Sequence, residues 1–391
     1  MTTTEFRLFP KALVLTNTHH FAGTDIMARS LAAGLEANGF DTSIANVYDK
    51  DSQAMVQALL DPETALIITT GTLPLLVRIN DQPIWRAIPA TTQFVTYIID
   101  QWPYDHVRVE PFRQFMADWE AKAPNLHIAS LEYNNAKLIG DRAYYFPTGA
   151  YGAPRRTAPK HYPDRLMIWA SVKTELHVTP VHDEFEPTLR DNNHWGFDED
   201  RIRRIGEAVR HTATTHSLTA FAEAFEQPLE TLTVKEALPA LSALDAWMKR
   251  YRRVKVVRAL RGMPVDIYGK NWGPYIEGSK TMRLLTPVPD HNHSFSHICQ
   301  HYAGLVNFDP NFGHGTNERV VTALRLGVPS ANNFNVRTDG SAGCFPYVFS
   351  DESICFAAEQ VLRYRGEVPP DATLTWEHVI DRLLIDMTRR P

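Results

Sequence analysis

The chain has 391 residues, 44% apolar and 22% charged. That balance excludes a mainly disordered, collagen-like or disulfide-scaffold protein. Lys and Arg total 40 against 45 Asp and Glu, a formal charge of −5, so the chain as a whole lacks a basic footprint for nucleic acid.

At about 150 residues per domain the length predicts two or three domains. Lys11 to Asn17 (KALVLTN) reads as a buried strand. A loop, HHFAGTD, leads to a helix, IMARSLAAGLEANG, with Thr24 or Asp25 as its cap and Gly39 at its end. FDTSIANVYD is the next strand. Strand, helix, strand in that order signals a parallel sheet. Further strands are predicted at 65–70, 93–99, 126–130 and 142–146. Pro147, Gly149, Gly152, Pro154, Pro159 and Pro163 then break periodic structure, and 147–163 reads as a linker.

LMIWAS (166–171) opens a second unit. Residues 172–196 read as a polar loop and 198–262 as helical, with Pro239 as a break and a basic stretch, KRYRRVKVVRALR, at 249–261. Strands follow at 265–268, 284–288, 303–308 and 328–332, with helices at 294–301 and 318–326 between them. An amphipathic helix, 376–389, carries Val379, Leu383 and Met387 in step. The fold class is therefore α/β, two parallel sheets in sequence. Ligands of such sheets bind at the carboxyl ends of the strands. Two sheets facing one another would enclose a cleft.

Four strand ends carry candidate chemistry. In VNFDPNFGHGTNERVVTALRLG a strand runs into a loop with Gly313, His314 and Gly315, and Thr316 or Asn317 caps a helix containing Glu318 and Arg319. Glycines let a phosphate approach the backbone, and a helix N-terminus favours an anion. Arg319 has the fork to pair with a diphosphate. An ordinary glycine turn fits the spacing equally well. In VDIYGKNWGPY a strand ends at Gly269, followed by Lys270, a point charge for phosphate, and Trp272, a face for a base or sugar or else a packing residue. In YIIDQWP, Asp100 stands at a strand's carboxyl end, as a general base or a turn cap. His20, in the first strand–helix loop, has the chemistry to take an acceptor proton, or simply bonds backbone. Ser171 and Lys173 are minor candidates for holding a phosphate.

Other signals read more plainly. His291, His293, His297 and His301 lack a cysteine or carboxylate partner at metal-ligand spacing, and no metal is expected. Asp198-Glu199-Asp200 precedes a helix start and reads as capping. The basic stretch at 249–261 reads as a solvated helix face, with an anionic acceptor, membrane surface or nucleic acid as alternatives. Cys299, Cys344 and Cys355, few and odd in number, suit a reducing compartment. The N-terminus lacks a signal-like apolar run, and no stretch approaches the roughly 18 apolar residues of a membrane span. A cytoplasmic protein is expected.

VDIYGKNWG, followed by GLVNFDPNFGHGTNERVVTALRLGVPSANN, resembles the C-terminal half of bacterial CgeB-like, group-1-like glycosyltransferases. FVTYIIDQWP and YYFPTGAY are similar to that family's strand end in Asp-x-Pro or Asp-x-x-Pro and to its hinge. The resemblance implies the GT-B architecture, two Rossmann-like domains around a cleft. It implies an N-terminal acceptor domain over 1–150 and a C-terminal donor domain over 164–375. A helical insert, unlike a minimal family member, is expected over about 175–255, and the architecture implies that a terminal helix, 376–391, crosses back to the first domain. It implies sugar transfer from a nucleotide-diphosphate donor, a UDP- or GDP-sugar first, to an unidentified acceptor, with no metal or other cofactor. Donor binding falls on Gly269, Lys270, Trp272, Gly313, His314, Gly315, Asn317, Glu318 and Arg319, and the catalytic base on Asp100 or His20. The family's ribose-binding Glu is here Thr322, with Glu318 one turn earlier. That departure keeps open a non-catalytic nucleotide-sugar binder, beside a glycosyltransferase acting on nucleic acid.

Overall fold

The computed structural model describes residues 10–17, 22–48, 52–99, 110–150, 161–172, 184–211, 217–232, 234, 236–285, 291–308, 317–333, 337–369 and 371–389. The chain divides into two compact units, Met1–Tyr151 with Ala372–Pro391, and Gly152–Asp371. Each is an α/β unit built on a parallel sheet, as the sequence pattern requires.

The first sheet contains β1 (Lys11–Thr16), β2 (Asp41–Asn46) and β3 (Thr64–Thr70). A short antiparallel hairpin, β4 (Arg78–Ile79) with β5 (Gln82–Pro83), stands apart from it. The sheet continues with β6 (Gln93–Ile98), β7 (Leu126–Ser130) and β8 (Tyr144–Tyr145). Its spatial order is β2-β1-β3-β6-β7-β8, parallel throughout. β1, β3 and β6 are buried almost end to end, whereas the edge strand β2 is largely exposed. Central parallel strands are covered on both faces and so read as continuous apolar runs. The first helix begins at Ala22, which puts Thr24 and Asp25 inside it rather than at its cap. Three helices the periodicity did not single out, Ser52–Leu60, Glu110–Glu120 and Tyr133–Ile139, belong to the crossovers that parallel strands demand. Phe94, Phe112, Phe115 and Trp85 pack into the core they cover, with the Trp85 and Phe115 rings edge to face at 5.5 Å.

The terminal helix, Trp376–Arg389, packs on helix Ala22–Ala37 of this same unit. Trp376 is buried against Gly149, where a Cβ would stand 2.5 Å from the Trp376 ring and backbone. Only glycine admits that approach. The Ala150 N–H donates to the Leu374 carbonyl at 2.6 Å, which fixes the returning chain.

The second sheet contains β9 (Tyr162–Trp169), β10 (Val265–Tyr268), β11 (Arg283–Leu285), β12 (Tyr302–Asn307), β13 (Ser330–Asn333) and β14 (Cys344–Tyr347). Its order is β11-β10-β9-β12-β13-β14, again parallel. The chain builds outward in one direction from β9 and then restarts at β12. The order therefore reverses between β9 and β12, and ligands of such sheets lie at the carboxyl ends there.

One carboxylate ties four neighbouring strands together. Asp266 on β10 is fully buried. Arg165 on β9 donates to its Oδ1 from Nε at 2.8 Å and from Nη2 at 2.6 Å. Arg283 on β11 donates to both oxygens, and the Tyr302 hydroxyl on β12 donates to Oδ2 at 2.9 Å. Burial by itself would raise this carboxyl's pKa, but the bonds from Arg283, Arg165 and Tyr302 hold it below the usual range. Burial, and the bond to Tyr268, push the Tyr302 phenol upward.

Between β9 and β10 the expected polar loop at 172–196 contains a helix, Phe185–Asp191, whose Phe185 and Leu189 are fully buried. Helices Glu199–His211, Ser217–Phe225 and Leu229–Leu232 follow, then one continuous helix, Leu238–Ala259. Pro239 stands in the first turn of that helix, where its missing N–H costs nothing, so it opens the helix instead of breaking it. The insert boundary expected near 255 falls inside this helix. Its first half packs against the preceding helices, with Phe185 and Trp247 edge to face at 5.0 Å. Val254, Val256, Val257 and Leu260 belong to the core of the second sheet. The unit closes with strand β14 and helix Asp351–Arg363, neither of which the sequence pattern marked. The three cysteines are free thiols. No described helix is long and apolar enough to cross a membrane.

Candidate functional site at the carboxyl edge of the second sheet

The site is organised around the four residues that leave β9, Trp169 to Val172. Each of their carbonyl oxygens accepts from a side chain of another element. Arg319 Nη1 donates to the Trp169 carbonyl. Trp272 Nε1 donates to Ala170 at 2.6 Å. Arg253 Nη1 donates to Ser171 at 2.9 Å, and Asn271 Nδ2 to Val172 at 2.8 Å. The exits of β9 and β10 also remain paired beyond the sheet. Ala170 N–H donates to the Tyr268 carbonyl, Val172 N–H to the Lys270 carbonyl, and Lys270 N–H to Ser171 Oγ.

Gly269 makes this pairing possible. A Cβ at that position would stand 1.7 Å from the Ala170 carbonyl oxygen. The glycine is required for the approach of two protein backbones. Trp272 is fully buried, packed with Tyr275 and Phe308 at ring distances of 6.2 and 6.4 Å. Of its two sequence readings the packing one holds: the indole secures the turn and presents no face to a ligand. Lys270 is exposed at the end of β10.

Across the switch point, Asn317 caps helix Glu318–Arg325, its Oδ1 accepting from the Arg319 N–H at 3.0 Å. The same oxygen accepts from Arg319 Nε at 2.8 Å. Glu318 Oε1 lies 3.9 Å from that Nε. Arg319 therefore ties β9 to the helix that follows β12, and its charge stands at the carboxyl edge. Thr322, at the place the resemblance gives to a ribose-binding Glu, is fully buried. Gly313, His314 and Gly315, like Asp100, His20 and Lys173, lie outside the described residues.

Sequence reasoning missed several polar groups of this edge. Asn307 ends β12 and donates from Nδ2 to Asn332 Oδ1 on β13 at 2.9 Å. The Tyr347 hydroxyl, on β14, donates to the Asn307 carbonyl at 2.6 Å. Asn307 and Asn332 are almost fully buried. The available signal was an asparagine closing an apolar run, in GLVN and in SANN, since buried amides are placed for a partner. Arg253 carried no such signal.

The basic stretch is a solvated face only in part. Lys249 pairs with Asp245 at 2.9 Å, and Arg250 donates to the Tyr275 hydroxyl at 2.9 Å. Arg252 is buried over the Phe349 ring, and burial brings its pKa down to about 10, so it stays charged at neutral pH. Arg253 is engaged as well, whereas Arg258 and Arg261 are exposed. Asp198 caps its helix through the Arg201 N–H, and Glu199 is paired with Arg190 at 2.6 Å. His161, His297 and His301 form a ring cluster at the opposite edge, but no group of carboxylates, histidines or thiols among the described residues forms a metal site.

No family model matches the chain, and no curated protein matches it in sequence. It is similar to the solved glycosyltransferase SnogD from Streptomyces nogalater, at 11% identity over 97% of this chain and 96% of that one, with a TM-score of 0.32. The glycosyltransferase VinC, solved in complex with dTDP, aligns at 12% identity over 97% and 100% of the two chains, TM-score 0.35. The N-terminal domain of trehalose-6-phosphate phosphatase from Candida albicans aligns at 9% identity over 100% and 98%, TM-score 0.39. Similarity at this level does not transfer an activity, and the function has to be argued from the residues of the chain itself.

Proposed function

We propose that the chain is a glycosyltransferase of the GT-B type, resembling the CgeB-like group, that moves a sugar from a nucleoside-diphosphate donor to an acceptor. The observation that carries this reading is the end of β9, where the Arg319 guanidinium meets the Trp169 carbonyl beside the N-terminus of helix Glu318–Arg325. A cation and a helix N-terminus at the switch point of a parallel sheet suit a diphosphate. The exposed Lys270 would meet its oxygens, and the resemblance assigns Gly313, His314 and Gly315 to the same ligand. In the reaction the acceptor oxygen bonds to the anomeric carbon and the bond to the diphosphate oxygen breaks. Fixed positive charge stabilises the departing anion, so the reaction would need no metal ion. In an inverting course Asp100 or His20 takes the acceptor proton. UDP- and GDP-sugars are the first donors to try.

The test is a thermal-shift titration with UDP, GDP, ADP, CMP and dTDP and their sugars, with and without EDTA, because a ligand of the native state raises the midpoint by mass action. One nucleotide should raise the midpoint in both conditions. Lys270→Ala should weaken that ligand about tenfold at an unchanged unliganded midpoint. Arg319→Ala should lose both binding and some stability. No shift with any nucleotide would refute the reading. Thr322, buried where the resemblance puts a ribose ligand, favours a second reading, a nucleotide-sugar binder without turnover. Release of nucleoside diphosphate in the presence of acceptor extracts separates the two.

A further inference from the structure

Helix Leu238–Ala259 has 22 residues and spans about 33 Å at 1.5 Å per residue. Its first half is the spine against which the helices between β9 and β10 pack. Its second half lies in the core of the second sheet and sends three arginines to the strand exits. Arg250 donates to the Tyr275 hydroxyl, and Arg258 stands over the same ring at 5.8 Å. Tyr275 belongs to the short turn of helix just after the β10 exit. Arg253, one turn from Arg250, reaches the other exit and donates to the Ser171 carbonyl. Ser171 in turn accepts the Lys270 N–H on its hydroxyl. One helix therefore grips both loops that form this side of the site.

We propose that Arg253 is a positioning residue of the nucleoside-diphosphate site, holding the Ser171 carbonyl and through it Lys270. The helical segment between β9 and β10 thus serves the donor side of the protein. This rests on the functional reading given above. The physical basis is the cost of a loose loop. With its four carbonyls held, the β9 exit is ordered before a ligand arrives, and binding does not have to supply that ordering. Removing the Arg253 bond frees the segment carrying Ser171 and lets the backbone of Lys270, the residue proposed to meet the diphosphate oxygens, shift. The loss is therefore specific to the diphosphate.

Isothermal titration tests this in four steps. Wild type is titrated with UDP, GDP, ADP and dTDP, and the tightest of these is carried forward with its own nucleoside. Arg253→Ala should bind that diphosphate about tenfold more weakly, the value of one charge-assisted hydrogen bond, and bind the nucleoside as wild type does. Arg253→Lys retains charge and one donor and should recover most of the affinity. Lys255→Ala, on the same helix but with its ammonium over the Tyr251 ring rather than at a strand exit, should leave it unchanged. If Arg253→Ala does not fold, Arg253→Lys against Arg253→Gln carries the same comparison, with Gln the weaker. Wild type that binds none of the four removes the functional reading and this inference together. Wild type that binds, with Arg253→Ala or Arg253→Gln binding as tightly, removes the inference alone. An equal loss for diphosphate and nucleoside also overturns it, since that marks a general loss of structure.

Discussion

Replacing Gly269 by alanine separates two reasons for a glycine at a strand end. If it admits a phosphate to the backbone, alanine should weaken ligand binding and leave the empty protein as stable as before. The structure supports the other reason. The added Cβ would stand 1.7 Å from the Ala170 carbonyl oxygen and 2.5 Å from its carbon, both backbone atoms. Real Cβ atoms essentially never approach closer than 3.0 Å, so the two exits must part by more than an ångström. That displacement breaks the Ala170–Tyr268 and Val172–Lys270 pairing and pulls Trp272 Nε1 from the Ala170 carbonyl. Overpacking of this kind costs about 1–3 kcal/mol, and more where backbone has to move. For a unit of this size that lowers the melting midpoint by roughly 2–12 °C. Gly262 is the control: nothing lies within 4 Å of the methyl that alanine would add there, and Gly262→Ala should be neutral or slightly stabilising. The assay is differential scanning fluorimetry or calorimetry of the unliganded protein, with nucleotide titration alongside. Gly269→Ala with a wild-type midpoint would refute the backbone-approach argument, whatever happened to binding.

Asp266→Asn should destabilise the second unit by about 3 kcal/mol, because Arg165 is left mostly buried without its counter-charge, whereas the half-exposed Arg283 head is rehydrated. The folded carboxyl is held below its unfolded range, so its contribution is present at neutral pH and is lost as pH falls through the folded value. Equal urea midpoints for wild type and variant at pH 7 would overturn this. His127 is buried against Gln93 Oε1 at 2.6 Å, and burial, with the Arg142 charge, brings its pKa down to about 4. The unfolded chain binds a proton there at higher pH, so stability falls as pH drops below about 6.5, by roughly 2 kcal/mol at pH 5. His127→Gln should flatten that part of the pH–stability profile, and a variant profile parallel to wild type between pH 7 and 5 would contradict the assignment. Trp272→Phe should lower the melting midpoint, through the lost bond to Ala170 and a smaller ring in the core. A changed affinity at an unchanged midpoint would restore the indole as a ligand platform.

Much of the architecture was legible in the amino-acid order. LVL and LII are continuous apolar runs, and FVTYI is nearly so, because central parallel strands are covered on both faces, and the spacing of such runs predicted two sheets. The helix capped by Asn317 and the terminal helix from Trp376 to Arg389 followed from capping and period alone. The edge strand β14, CFPY, is short and contains a proline, which argues locally against a strand. Helix Phe185–Asp191 is short and sits among polar neighbours, and only packing against Trp247 justifies it.

The site divided in the same way. Sequence located the strand ends, because a parallel sheet offers its ligands a single edge, and it marked Lys270, Asn317 and Arg319 there. It did not determine what each side chain does at that edge. A tryptophan after a strand looks the same whether it stacks on a base or donates to Ala170, and a glycine looks the same beside a phosphate or beside another backbone. Arginines at 250 and 253 read as a solvated face because nothing local reveals that Tyr275 and Ser171 lie within their reach. Local order sets hydrophobic period, caps and turns, which depend on near neighbours. The partners of Gly269, Trp272, Arg253 and Asp266 come from strands and helices distant in sequence, so only the closed tertiary structure decided them.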